Sequence, residues 1–359
     1  MPNSDHPSDP AKGKKGPALN PQLSSRFKRK RSALPSVDEL WEGVRAGDRM
    51  LLSRAITLVE STRPDHRQQA NELVKRCLPF SGHSVRIGIT GTPGVGKSTF
   101  IEALGQYVLA QDRKLAVLAI DPSSSRSGGS ILGDKTRMTI LSANPAVFIR
   151  PSPAGESLGG VAQKTRETML LCEAAGFDTL FVETVGVGQS ETAVHAMVDF
   201  FLLLLLPGAG DELQGIKRGI VEMADLLAVN KSDGDRIKLA KLAKREYRNA
   251  LHLMPMRESN WTPKVLLCSA LTQSGIDEIW DSVKKYLELT KRNGFFERRR
   301  KEQALYWLEE GIREGLQQLF FENQTLAAEF AKVKQGILHQ EISSYQGAEH
   351  LLKLFRELK

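Results

Sequence analysis

Gly91-x-x-x-x-Gly96-Lys97-Ser98 follows the apolar run "VRIGIT" (85–90) and opens the helical stretch "TFIEALGQYVLA". Glycines at these two positions let backbone N–H groups close around phosphate oxygens without Cβ clashes, and the start of a helix adds partial positive charge. In such a loop the lysine, here Lys97, reaches the β- and γ-phosphates, and the hydroxyl of Ser98 ligates Mg²⁺. Gly91, Thr92, Pro93, Gly94, Val95, Gly96, Lys97, Ser98 and Thr99 are therefore the expected phosphate cradle.

The base is read elsewhere. "NKSD" (230–233) ends the apolar run "LLAVN". A carboxylate at Asp233 can accept two hydrogen bonds, from guanine N1–H and its exocyclic amine, and adenine offers no such donor pair. Asn230 and the stem of Lys231 would brace the loop and cover the ring, and the backbone of Ser269 and Ala270 in "CSAL" (268–271) would meet the guanine O6. Four residues alone are a weak signal. Downstream of a phosphate loop, at a strand end, they favour GTP over ATP.

Three further stretches have the composition of switches. "FVETVGVGQSE" (181–191) places Glu183-x-x-Gly186 where GTPases carry a Mg²⁺-linked carboxylate and a γ-phosphate-sensing N–H. The next residue, Val187, cannot orient water, and Gln189 lies two positions on. Slow intrinsic hydrolysis is expected, on the order of 10⁻⁴ to 10⁻² s⁻¹, with a partner supplying the missing order. In "AIDPSSSRSGGSILGDKTRM" (119–138), Asp121 and Asp134 could approach Mg²⁺ or the attacking water, and Arg126 or Arg137 is a weak candidate for an arginine in cis. "PGAGDELQGIKRGIVEMAD" (207–225) is a third mobile loop or a plain connection.

These loops need a scaffold. Short β-rich runs at 85–90, 115–120, 146–150, 179–184, 200–206, 226–230 and 265–270 are mostly separated by helix-length segments, the pattern of a largely parallel, doubly wound α/β sheet. In such sheets ligands sit beyond the carboxyl ends of the strands, and nearly every polar motif here follows one of these runs. Residues 36–83 read as a helical extension with a break at Gly47, residues 84–285 as the nucleotide-binding domain, and residues 286–359 as a helical arm. In the arm, Leu305, Leu308, Ile312, Leu316 and Leu319 form one apolar stripe; Leu326, Phe330, Val333 and Ile337 form another, with "ENQT" (322–325) as the turn. Their faces need a partner surface, either the nucleotide-binding domain or a second copy.

Net charge is +8, but residues 1–35 hold eight basic residues against two aspartates, a net of +6, leaving about +2 for the rest. The body is therefore not strongly basic, and a nucleic-acid partner is not expected for it. The leader, with its "RFKRKR" run, is expected to be disordered and solvated, and Asp5 and Asp9 argue against a transit peptide. Cys77, Cys172 and Cys268 form no CxxC pair, and an odd number builds no disulfide framework, so a reducing cytoplasm fits. "FFLLLLL" (200–206) is too short to span a bilayer and reads as a strand buried on both faces.

Taken together, "GTPGVGKSTF", "DPSSSRSGGSILGDKTRM", "ETVGVGQSE", "PGAGDELQGIKRGI", "NKSD" and "RAITLVES" resemble the MeaB/ArgK family of P-loop GTPases over roughly residues 38–320. Glu183, in place of the usual Asp, is characteristic of that family. The resemblance implies a homodimer formed through the C-terminal helices. It also implies that GTP/GDP and Mg²⁺ gate cofactor loading and protection of an adenosylcobalamin-dependent acyl-CoA mutase, typically methylmalonyl-CoA mutase. By motif position it assigns Lys97 and Ser98 to phosphate and Mg²⁺, Asp121, Asp134 and Glu183 to the acidic set around Mg²⁺ and water, and Gln214 and Lys217 to relaying nucleotide state. The chain has no D-x-H-x-x-G stretch for a cobalt-ligating histidine, so cobalamin is expected on the partner. A P-loop kinase for a small molecule, a GTPase inserting another metal, and a GTPase using the basic leader on RNA remain the rival readings.

Overall fold

The computed structural model describes residues 35–120, 138–151, 158–184, 190–208 and 218–358. Among these residues seven strands form one sheet: β1 (Val85–Gly91), β2 (Leu115–Ile120), β3 (Val147–Arg150), β4 (Thr179–Thr184), β5 (Phe200–Leu205), β6 (Leu226–Val229) and β7 (Lys264–Leu267). Their spatial order is β3-β2-β4-β1-β5-β6-β7, and every neighbouring pair is parallel.

The Leu-rich β5 shows why its run has no polar break. Phe200, Leu202 and Leu204 enter the core on one face of the sheet, while Phe201, Leu203 and Leu205 enter the core on the other. A strand side chain alternates faces every residue, so a central strand covered on both sides must be apolar throughout. One face is covered by α4 (Lys97–Leu109) and α10 (Ile276–Arg292), where Trp280 is fully buried. The other is covered by the N-terminal helices α1 (Val37–Arg45), α2 (Arg49–Glu60) and α3 (Pro64–Cys77), and by the region of α6 (Leu158–Ala174).

The N-terminal extension breaks twice. Gly47 is left-handed (φ 73°) and Asp48 then caps α2, its carboxylate accepting from Met50 and Leu51 N–H at 2.8 and 3.0 Å. The second break, before Pro64, makes three helices where sequence periodicity suggested two, because proline is favoured in a first helical turn and not within one. The short helices α5 (Thr139–Ala143), α7 (Ser190–His195) and α8 (Arg218–Met223), with α9 (Ile237–His252), complete the connections.

The arm consists of α11 (Phe295–Phe321), α12 (Gln324–Leu338) and α13 (Ser344–Glu357), one helix more than the expected hairpin. Its base is bound tightly to the strand-entry side of the sheet. Arg300 donates to both carboxylate oxygens of Asp199 at 2.7 Å and to the carbonyl of Ser84 at 2.7 Å. Gln303 Nε2 donates to Val198 O at 2.8 Å and Trp307 Nε1 to Ala196 O at 3.0 Å. Beyond that, the second apolar stripe is used internally, with Leu326 and Val333 buried beside α13. The first stays open: Leu305, Leu308, Ile312, Leu316 and Leu319 are 48–62% exposed.

Candidate nucleotide-binding site

β1 ends at the centre of the sheet, with β4 on one side and β5 on the other. Register pairs Ile89 with Glu183 and Gly91 with Leu204, so the ends of β4 and β5 flank the loop that follows β1. A hydroxyl pair, Thr90 with Thr184 at 2.7 Å, fastens β1 to β4 just below it.

The loop has the backbone that a phosphate cradle requires. Gly91 has φ 154° and a Cβ there would lie 2.7 Å from Leu204 O; Gly96 has φ 93° and a Cβ there would lie 3.1 Å from Asn230 Nδ2. Only glycine meets both the conformation and the space. Gly96 is also the residue before α4, whose first backbone N–H groups therefore point at the loop. Val95 is buried, Thr92, Gly96 and Ser98 are half-buried, and Pro93, Gly94 and Thr99 are exposed. Thr92 Oγ1, on this loop, is buried with no hydrogen-bond partner.

Lys97 is 9% exposed and its ammonium donates to the carbonyls of Gly91 (2.7 Å) and Thr92 (3.3 Å). Burial holds it below the ordinary lysine range, and the carboxylates of Glu183 and Glu191 pull in the opposite direction. A cation kept over the loop by two carbonyls and two nearby carboxylates is suited to exchange those contacts for phosphate oxygens.

The loops after β6 and β7 are joined to the glycine-rich loop by two side chains. Asn230, 1% exposed, donates through Nδ2 to Val95 O at 2.9 Å and accepts through Oδ1 from the Ala270 N–H at 3.1 Å. Lys231, in the left-handed region at φ 56°, donates to Gly94 O at 2.8 Å. The next residues are held as firmly. Ser232 N–H donates to Cys268 O at 3.0 Å, and Ser269, fully buried, accepts at Oγ from Thr272 N–H at 3.2 Å. Asp233 follows in extended conformation, half-buried, before the turn at Gly234–Arg236.

The structure thus brings Asn230, Lys231 and Ala270 together with the glycine-rich loop, with Asp233 and Ser269 on the same two connecting loops and Glu183 (8% exposed) at the neighbouring strand edge. Asp121, Asp134, Gly186, Gln189, Gln214 and Lys217 lie outside the described residues. Two buried neighbours carried no role in the sequence reading, Ser190 and Glu191. Their place directly after the glycine-rich stretch that follows β4 is too general a signal to single them out. Among the described residues no helix is long and apolar enough to cross a membrane.

Comparison with known proteins agrees with this geometry. Residues 52–325 match the family model described as methylmalonyl-CoA mutase-associated GTPase MeaB. The chain is 50% identical over 319 residues to a putative GTPase of Caulobacter vibrioides, covering 89% of this chain and 98% of that protein. It is 44% identical over 308 residues to GTPase ArgK of Escherichia coli (86% and 93% covered). It is 44% identical over 330 residues to the mouse protein named methylmalonic aciduria type A homolog, mitochondrial (89% and 80%). The crystal structure titled LAO/AO transport system kinase superposes with a TM-score of 0.71 at 37% identity, covering 89% of this chain and 97% of that one. A guanine-type loop tied to a phosphate cradle, at the centre of a parallel sheet and with relatives of this kind, places the chain in the MeaB family of methylmalonyl-CoA mutase-associated P-loop GTPases.

Proposed function

We propose that this chain binds GTP, hydrolyses it slowly on its own to GDP and phosphate, and uses the difference to gate adenosylcobalamin loading into an acyl-CoA mutase of the methylmalonyl-CoA type and to protect that enzyme. The observation that carries the nucleotide part is the Asn230 bridge. It ties the phosphate loop at Val95 to the loop at Ala270, so base and phosphates are read by one preorganised unit. The family model supports the mutase as partner.

Each residue has a definite task in this reading. Backbone N–H groups of the loop and of the start of α4 bind the β-phosphate; Lys97 spans to the γ-phosphate. Asp233 accepts from guanine, the Lys231 stem lies against the ring, and Ala270 borders O6. Ser98 and Glu183 would hold Mg²⁺ directly or through water, and the orphaned Thr92 hydroxyl and the glycine cradle fit a metal–triphosphate group. Bound Mg²⁺ neutralises charge that builds on the phosphates. We assign Asp121, Asp134 and Gly186 to the water and γ-phosphate side on sequence position alone. The exposed stripe on α11 supports a homodimer with the arm as its contact.

The test is capture from the source cell with this chain loaded with GDP or with a slowly hydrolysed GTP analogue. Recovery of a cobalamin-dependent mutase, in amounts that differ between the two states, is the expected result. Its absence in both states removes the chaperone role and leaves the GTPase.

A further inference from the structure

Glu191 lies in the first turn of α7, seven residues after Thr184, the last residue of β4. It is 4% exposed, and its Oε2 has no hydrogen-bond partner; Ser190 Oγ beside it is equally buried and unpaired. Thr92 Oγ1, on the phosphate loop, and Thr168 Oγ1, on α6, are likewise buried and unpaired. The position is fixed by packing rather than by chance. Val194, one turn on, is fully buried and meets β1 where Gly88 leaves room for it. Glu191 is also close enough to Lys97 to favour its protonated form. Lys97 itself donates to the Gly91 and Thr92 carbonyls, so it does not satisfy Oε2.

A buried carboxylate oxygen without a donor is costly, and it is kept where a ligand supplies the donor. Phosphate oxygens cannot do so; they are acceptors and carry the same sign of charge. Water held by a divalent cation can, because its protons are acidic and point away from the metal. We infer that Glu191 is a positioning residue that accepts a hydrogen bond from the water shell of Mg²⁺ and thereby makes this site select magnesium–GTP over the bare triphosphate. Without the metal, the carboxylate faces the phosphates and repels them. With it, the same oxygen is satisfied and the metal's water is oriented. The inference rests on the reading of this site as one for magnesium–GTP.

The test is a fluorescent GTP analogue titrated into the full chain with Mg²⁺ or with EDTA, for the native protein and for Glu191→Gln. In the native chain affinity falls sharply without Mg²⁺. In Glu191→Gln the ratio of the two dissociation constants shrinks by about tenfold, the order expected for removing one charge several ångströms from phosphate in a partly buried site. The change comes mainly from tighter binding in EDTA. An equal loss of affinity in both buffers, with the ratio unchanged, makes Glu191 a counter-ion of Lys97 only and overturns the inference. Should the variant not fold, a structure of the native chain with Mg²⁺ and a slowly hydrolysed analogue decides. A magnesium-bound water within hydrogen-bond distance of Glu191 supports the inference, and none there overturns it. A native chain that binds no GTP in either buffer defeats the functional reading itself, a different outcome from an unchanged ratio.

Discussion

Asn230 Nδ2 donates to the carbonyl of Val95 at 2.9 Å, across 135 residues of chain, and so links the Asn-Lys-x-Asp loop after β6 to the glycine-rich loop after β1. The side chain is saturated at its other end by the Ala270 N–H. Replacing Asn230 by Ala removes both bonds and leaves a buried carbonyl and a buried N–H without partners. A stability loss of about 1–3 kcal/mol follows from the unpaired groups. GTP affinity should fall by more than the stability change alone would give, because two loops lose their common brace. Urea unfolding and nucleotide titration on the same preparation check both.

Arg86 and Glu173 form a buried bidentate pair at the strand-entry side of the sheet, with contacts of 2.8 and 2.9 Å. Glu173 also accepts from Ser84 Oγ and from the Gly82 N–H. These bonds keep its carboxyl below the usual range despite burial, which by itself raises it. Glu173→Ala strands a buried guanidinium and should cost about 3–5 kcal/mol. Nucleotide affinity of the remaining folded protein should stay within about twofold, since the pair is at the opposite sheet end from the phosphate loop. A large stability loss without a change in affinity is the signature, read by denaturant midpoint and nucleotide titration.

His195, on α7, faces Arg299 of the arm, whose Nη2 lies 3.0 Å from its Nε2. An arginine is always a donor, so Nε2 accepts and the ring is neutral with its proton on Nδ1. Burial, then Arg299 and Arg257, push the histidine from its ordinary 6.5 down to about 3. The unfolded chain takes up a proton below 6.5 that the folded chain refuses. This contribution is therefore fully present above about pH 6.5 and is lost as pH falls from 6.5 towards 3, at up to about 1.4 kcal/mol per pH unit. Melting temperatures between pH 7.5 and 5 should decline, and His195→Gln should decline less steeply.

Leu308 and Ile312 are 59% and 55% exposed on the open stripe of α11. If that stripe is the contact between two copies, Leu308→Glu with Ile312→Glu should yield a monomer by light scattering. Its nucleotide affinity should be nearly native, because both side chains are exposed on the arm and neither belongs to the phosphate loop or the loops joined to it.

Much of this was legible in the sequence because central parallel strands must be apolar on both faces. β2 and β4 occupy the expected residues, and β5 ends at Leu205, one residue before its apolar run does. β7 was displaced, observed at 264–267 against an expected 265–270, because "CSA" continues the apolar run while its backbone turns to meet Asn230 and Ser274. The third arm helix lies outside the two expected stripes: it starts at a capping box, Ser343 with Gln346, and its buried Leu351 belongs to a separate apolar cluster with Leu352, Leu354 and Phe355. The cradle and the Asn-Lys-x-Asp loop were legible because each needs particular residue types at fixed spacing. Glu191 was not, because burial of a carboxylate and an unpaired oxygen are properties of three-dimensional packing. No spacing rule records them.

Nucleotide competition tests the central claim most directly. With a labelled guanine nucleotide bound to the purified chain in the presence of Mg²⁺, unlabelled GTP should displace it at least about a hundredfold more effectively than ATP, because only guanine supplies two donors to Asp233. Equal displacement by GTP and ATP would contradict the account.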